Sequence, residues 1–168
     1  MWSKATEVSL CAESLEVNLD MDTFDNRLLL QKSIYLMQVF GVDIGYRFGW
    51  YLRGPYCSDL TKTGFEVKEH MGCSKVDFAL PDSIVKRIQF FKKWETETKP
   101  EYMAEVEWLE LLASLHYLKH IAYIREGKSK DIVCSELVSR KSWYEMGHVE
   151  KAWEVLDQAG LIEKSKVS

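Results

Sequence analysis

Between Asp25 and Phe40 the apolar residues Leu30, Ile34 and Met37 recur at helical spacing, and Leu29, Tyr35 and Val39 widen the same face. Gln31, Lys32 and Gln38 interrupt it. The pattern predicts a helix, with Asp25 or Asn26 as N-cap and Gly41 in the left-handed position just past its last turn. A weaker helix is expected over Glu7 to Leu19, carrying Val8, Leu10, Cys11 and Leu15, before the polar stretch Asp20-Met21-Asp22-Thr23. From Tyr46 to Leu52 the period changes to two: Tyr46, Phe48 and Trp50 alternate with Arg47, Gly49 and Tyr51, which suits a short strand with one aromatic face inward. Arg53-Gly54-Pro55-Tyr56 reads as a turn, and Ser58-Asp59 as the cap of a helix through Leu60 and Phe65 to Val67.

Met71 to Pro81 reads as the main loop, with a short strand over Val76 to Leu80, and is the expected lobe boundary. The second half is helical. Asp82 to Glu95 carries Ile84, Ile88 and Phe91 on one face, and Pro100 opens a long stretch from Glu101 to Ile124. There Met103, Val106, Leu109, Leu112, Leu115, Leu118 and Ile121 recur so densely that the helix should be the buried spine. After Gly127, shorter helices over Ser129 to Lys141 and Gly147 to Gln158 lead to Gly160 and Leu161-Ile162, followed by a polar tail from Glu163 to Ser168. The expectation is a mainly α fold with a small β element (α+β), in which the last helices form a helix-turn-helix or winged-helix-like arrangement. One domain over 1–168 is expected, with an N-terminal lobe 1–72 and a helical C-terminal lobe 82–162 around a shared core.

Composition adds exclusions. The 168 residues are 46% hydrophobic and 29% charged, as in soluble globular domains. The longest run without a charged residue, Ser33 to Val42, is far short of the roughly 20 apolar residues a membrane span needs. Met1 to Glu7 lacks an export pattern, so a cytoplasmic location is expected. A net charge of -4 removes any global attraction to phosphate backbones. Cys11, Cys57, Cys73 and Cys134 contain no C-x-x-C pair and read as free thiols.

Four constellations carry candidate chemistry. An amphipathic helix bearing Gln31, Lys32 and Tyr35, next to Phe48, Trp50, Tyr51 and the Gly54-Pro55-Tyr56 turn, could form an apolar surface able to hydrogen-bond. The same aromatics could instead fill the core, the commoner case for a regularly spaced stripe. Lys86, Arg87, Lys92 and Lys93, interleaved with Gln89, Phe90, Phe91 and Trp94, would offer charge and stacking to nucleic acid, or form a solvated helix face. In the last helix, Glu150, Glu154 and Asp157 against Lys151 and His148 match phosphates poorly. His116 and His120 stand four apart, as a metal pair would, with Glu110 or Glu126 nearby; Cys57, His70 and Cys73 form a second, incomplete set. No G-x-S-x-G, Walker or G-x-G-x-x-G motif occurs, so neither catalysis nor a cofactor is expected.

The runs L-Q-K-x-x-Y-L (Leu30 to Leu36) and Y-x-F-x-W-Y-x-x-G-P-Y (Tyr46 to Tyr56) resemble the Panacea antitoxin domain and its SocA-like and YwgA-like bacterial and archaeal relatives. The specific likeness covers about Asp25 to Phe65; Glu110 to Tyr117 and Ala152 to Leu161 extend it. Cys57 stands where the family usually carries serine, with Ser58 next. The resemblance implies a mostly helical, non-enzymatic module, antitoxin-like or phage-defence-associated, that binds and neutralises or regulates a partner protein such as a toxin. A winged-helix-like DNA- or RNA-binding regulator is the alternative, and a metal-dependent enzyme using His116 and His120 a minor one. Six Trp, eight Tyr and seven Phe leave enough aromatic surface for a homodimer.

Overall fold

The computed structural model describes residues 3–70, 78–121 and 129–162. In chain order these form α1 (Lys4–Leu15), α2 (Phe24–Val39), β1 (Gly49–Tyr51), β2 (Gly54–Tyr56), α3 (Ser58–Glu69), α4 (Asp82–Thr98), α5 (Glu105–His120), α6 (Lys130–Arg140) and α7 (Met146–Gln158). The protein is mainly helical, with one small two-stranded antiparallel sheet among the described residues.

Helix α5 is apolar around most of its circumference: Trp108, Leu109, Leu111, Leu112, Ala113, Leu115 and Leu118 are all buried. A helix of that kind must be covered on several sides. α2, β2, α6 and α7 supply the cover, while α1 packs on α3 and α4, and α6 on α7. One continuous hydrophobic cluster takes residues from both expected lobes, from Val8 and Leu30 to Val133 and Leu156.

Several boundaries differ from the sequence reading, for local reasons. α2 begins at Phe24 because the Thr23 hydroxyl accepts the Asn26 N–H at 3.1 Å, so Thr23 is the cap and not Asp25 or Asn26. α1 starts earlier, capped by Ser3, and stops at Leu15, where Glu16 turns left-handed (φ 57°). α5 starts at Glu105, after a separate turn in which the Met103 N–H reaches the Pro100 carbonyl at 3.2 Å. The expected strand over Val76 to Leu80, the end of the spine at Ile124 and the tail 163–168 fall wholly or partly outside the described residues. Gly41 takes the role its position suggested: its φ is 103°, and the Val42 N–H bonds the Met37 carbonyl at 3.1 Å, closing a Schellman-type end.

The aromatic run also folds differently in detail. Tyr46 and Phe48 precede the strand, which begins at Gly49, and Gly54-Pro55-Tyr56 is not a turn but β2. Trp50 faces Pro55 and Tyr51 faces Gly54, so the turn is Leu52-Arg53. The alternation still holds: Tyr46 is buried, Phe48 and Trp50 half-buried, and Arg47 and Tyr51 exposed.

Gly54 fixes how closely the hairpin meets α5. Its φ is 85°, and a Cβ there would stand 2.3 Å from Ser114 Oγ. Gly54→Ala should therefore combine left-handed strain with overpacking and destabilise the protein by about 2–4 kcal/mol in denaturant unfolding. A loss below about 0.5 kcal/mol, the usual range for a neutral surface change, would show that the hairpin can move away from α5.

Candidate functional site

A pair of three-residue strands has too little pairing to stand alone. Here the outer edge of β2 is satisfied by α2. Lys32 is fully buried (0% exposed), and its Nζ donates to the Pro55 carbonyl at 2.6 Å. Next to it, Gln31 brackets Cys57: Oε1 accepts the Cys57 N–H and Nε2 donates to the Cys57 carbonyl, both at 2.9 Å. Gln31 Nε2 also reaches Thr61 Oγ1 at 2.8 Å. Cys57, not Ser58 or Asp59, is the N-cap of α3 and makes no side-chain cap bond; Gln31 instead holds the backbone of the cap residue.

A second lysine secures the turn. Lys141, just past α6, donates to the Leu52 carbonyl at 2.5 Å and lies 5.2 Å from the Trp50 ring and 5.0 Å from the Trp143 ring. The buried carboxylate of Glu110 on α5 stands 3.7 Å from Lys141 and 3.8 Å from Arg53. Lys141 and Arg53 thus flank one carboxylate, whose charge also acts on Lys32 from beyond ion-pair distance. Burial pushes the Lys32 amine down to about 7, opposed by Glu110 and reinforced by Lys141 and Arg53. Lys141 is lowered too, again chiefly by burial. Ser114 Oγ, Glu110 Oε1 and the Tyr144 hydroxyl are buried without a hydrogen-bond partner among the described residues. Such a concentration of under-satisfied polar groups is uncommon in a core.

Outside this buried layer is an apolar surface. Phe24, Tyr51, Leu52 and Trp143 are exposed, Leu52 to 81%. The Arg53 guanidinium joins them, 5.8 Å from the Phe24 ring and 5.0 Å from the Trp143 ring. Beside the hairpin tip opens a cavity of about 300 Å3, bounded by α2 and the hairpin, with Lys32, Arg27 and Arg53 among its lining residues. Gln31, Lys32, Tyr51, Gly54 and Tyr56 all line it, so five residues of the sequence signature converge here. Pro55 meets Lys32 just behind the cavity, and Trp50 packs beneath, 5.7 Å from the Tyr117 ring. Phe48 and Tyr35 pack edge to face at 5.1 Å on the core side.

The other candidates are placed differently. Lys92 is held by Glu105 at 2.5 Å and Glu95 at 3.5 Å, Lys93 by Glu97 at 3.8 Å, and Arg87 Nη1 lies against Gly41, while Lys86 is exposed. Half of the run is thus paired within the molecule, and Lys86 and Arg87 stay exposed. Exposed Glu150, Glu154 and Asp157 on α7 keep that helix acidic. The His116 and His120 rings stand 4.5 Å apart, but His116 Nδ1 shares a 2.8 Å hydrogen bond with the Tyr35 hydroxyl. His120 Nε2 donates to the Leu161 carbonyl at 2.7 Å, so that nitrogen carries its proton and is no metal ligand. Cys73 and Glu126 lie outside the described residues, which hold no group of three metal-ligating side chains. Cys11, Cys57 and Cys134 are buried free thiols.

No family model, curated protein or solved structure matches the chain. The arrangement therefore stands on its own geometry. Sequence reasoning missed Glu110 and Lys141 as partners of the hairpin, and Leu52, Arg53 and Trp143 as its exposed tip.

The depressed Lys32 amine has a measurable consequence. An unfolded lysine titrates near ~10.4, so below pH 7 Lys32 is protonated in both states and its contribution is flat. Above pH 7 the folded protein has released this proton while the unfolded chain keeps it, and stability rises with pH by at most about 1.4 kcal/mol per unit. Cys11 and Cys134, pushed by burial to about 11, oppose the trend once unfolded thiols ionise near ~8.5. Between pH 7 and 8.5, urea unfolding should show the wild type gaining about 1–2 kcal/mol relative to Lys32→Met. Parallel curves would mean that Lys32 keeps an ordinary pKa.

Proposed function

We propose that this protein is a non-enzymatic protein-interaction module whose docking surface is the β1–β2 tip with Phe24 and Trp143. The observation that carries the reading is Leu52, 81% exposed on a turn whose backbone is fixed by a buried lysine. A large apolar side chain in water on an anchored backbone, ringed by aromatics and an arginine, has the composition of an interface centre, and its backbone loses little entropy on binding. The likeness of the L-Q-K and G-P-Y runs to the Panacea antitoxin domain supports a finer reading: docking neutralises or regulates a partner protein, antitoxin-like or in phage defence. No helix among the described residues is long and apolar enough to cross a membrane. Buried free thiols suit a reducing compartment, and the cytoplasm is the location we propose. Nucleic acid is the weaker reading, because two of the four basic residues of the α4 run, Lys92 and Lys93, are paired with carboxylates of α4 and α5.

The test is affinity purification of the tagged protein from its own host after nuclease treatment, with Leu52→Asp and Trp143→Ala compared. The wild type should retain a stoichiometric protein that Leu52→Asp loses by tenfold or more, with an unchanged circular dichroism spectrum. A partner retained equally by Leu52→Asp, or one removed by nuclease, would overturn the proposal. A second copy of this chain as the retained protein would make the surface a homodimer contact.

A further inference from the structure

Arg53 forms the hairpin turn with Leu52, and its side chain is 42% exposed. The guanidinium lies over two exposed rings, 5.8 Å from Phe24 and 5.0 Å from Trp143. Contact with ring faces restrains a guanidinium without using its donors. It has five N–H groups to give. Among the described residues Arg53 gives none of them to a hydrogen bond: its carboxylate neighbour, Glu110, stands at 3.8 Å and is shared with Lys141 at 3.7 Å. Arg27 lies over the same Phe24 ring at 5.9 Å, but its Nη1 is taken by the Met21 carbonyl at 2.7 Å. The open donors of the tip are therefore those of Arg53.

The flanks of the hairpin, by contrast, offer an incoming chain few backbone groups. Tyr117 donates to the Phe48 carbonyl at 3.4 Å, Lys141 to that of Leu52 and Lys32 to that of Pro55, while Gln31 holds both polar groups of Cys57. A strand laid along either edge would have to displace these bonds. Recognition at the tip therefore falls to side chains. A restrained arginine with open donors among exposed aromatics has the composition of an interface centre, and its complement is a planar acceptor that takes two N–H groups at once. We propose that Arg53 is the specificity-determining residue of the docking surface: it takes an aspartate or glutamate of the partner protein, set in an apolar site that covers Phe24, Leu52 and Trp143. A single guanidinium that already faces Glu110 matches one negative charge, whereas a nucleic-acid backbone is bound by several cations together. Phe24 and Trp143 are positioning residues that restrain the guanidinium for this pair.

This inference rests on the protein-docking reading, and its test separates the two. The probe is a blocked dipeptide of glutamate and tryptophan, titrated into the full chain beside its glutamine twin, an N-methylated form whose backbone cannot donate, and inorganic phosphate. The Arg53 Nε resonance reports the ion pair, and amide chemical shifts give the affinity. The glutamate peptide should move that resonance saturably and bind about tenfold more tightly than the glutamine twin, with the N-methylated form about equal to it. Arg53→Gln should abolish the preference for glutamate. Arg53→Lys, which keeps a cation beside Glu110 and so keeps the test open if Arg53→Gln does not fold, should lose most of it. Trp143→Leu should narrow the same preference, which loss of apolar contact alone would leave unchanged. An unmoved Arg53 resonance, equal binding of the glutamine twin, or an unchanged preference in Arg53→Gln overturns the role of Arg53. Phosphate binding as tightly as the peptide overturns the carboxylate, and an N-methylated form about tenfold weaker overturns recognition by side chains alone. The protein retained by the wild type in affinity purification decides the docking reading separately. If Leu52→Asp loses it and Arg53→Gln does not, only the role of Arg53 falls; if neither loses it, docking at the tip falls as well.

Discussion

The open edge of β2 is the constraint on which the rest of the site depends. A strand edge presents carbonyl and N–H groups that another strand would normally satisfy. This protein satisfies them with side chains: Lys32 takes the Pro55 carbonyl, and Gln31 takes both polar groups of Cys57. Adjacent residues on a helix do not usually share a target, since they point about 100° apart. They do so here because α2 runs alongside the strand and the two long side chains converge on it. Pro55 suits this edge, as it has no N–H to leave unpaired. The hairpin is thereby tied to the spine of the fold, and Trp50, Leu52 and Arg53 inherit their positions from that tie.

Binding the hairpin through ammonium groups rather than amides has an electrostatic cost. Two lysines buried beside one glutamate leave the interior short of negative charge, and desolvation moves both amines towards neutrality. Apolar residues of similar volume could fill the same space at lower cost, as buried ion clusters generally show. Retaining lysines where hydrophobic packing would suffice favours a use beyond stability.

Much of the fold was legible from the sequence, because it rests on long periodic segments. α2 and α5 follow from their apolar spacing, and the left-handed end at Gly41 follows from a glycine at the right place. Short-range competition was harder to read. Thr23, Asp25 and Asn26 are all good caps, and only the backbone geometry selects Thr23. The candidate site was half legible. Gln31 and Lys32 looked like breaks in an apolar stripe, because nothing local reveals that their partners lie 26 and 23 residues away. Lys141 was invisible for the same reason, being 89 residues from Leu52. The ion pairs of the basic run, by contrast, were open to inspection: Lys92 with Glu95 and Lys93 with Glu97 are ordinary helical neighbours.

The bond from Lys141 to the Leu52 carbonyl also orders events in time. During synthesis the hairpin leaves the ribosome 89 residues ahead of the lysine that fixes its turn. At ordinary elongation rates that is an interval on the order of 5–20 s, long compared with the microseconds in which a hairpin forms. Through this interval β1 and β2 can pair, but the tip has no anchor on its outer side. The exposed surface therefore reaches its final shape only once Lys141 has emerged, so a nascent molecule that stops short of this lysine lacks the bond that fixes the tip.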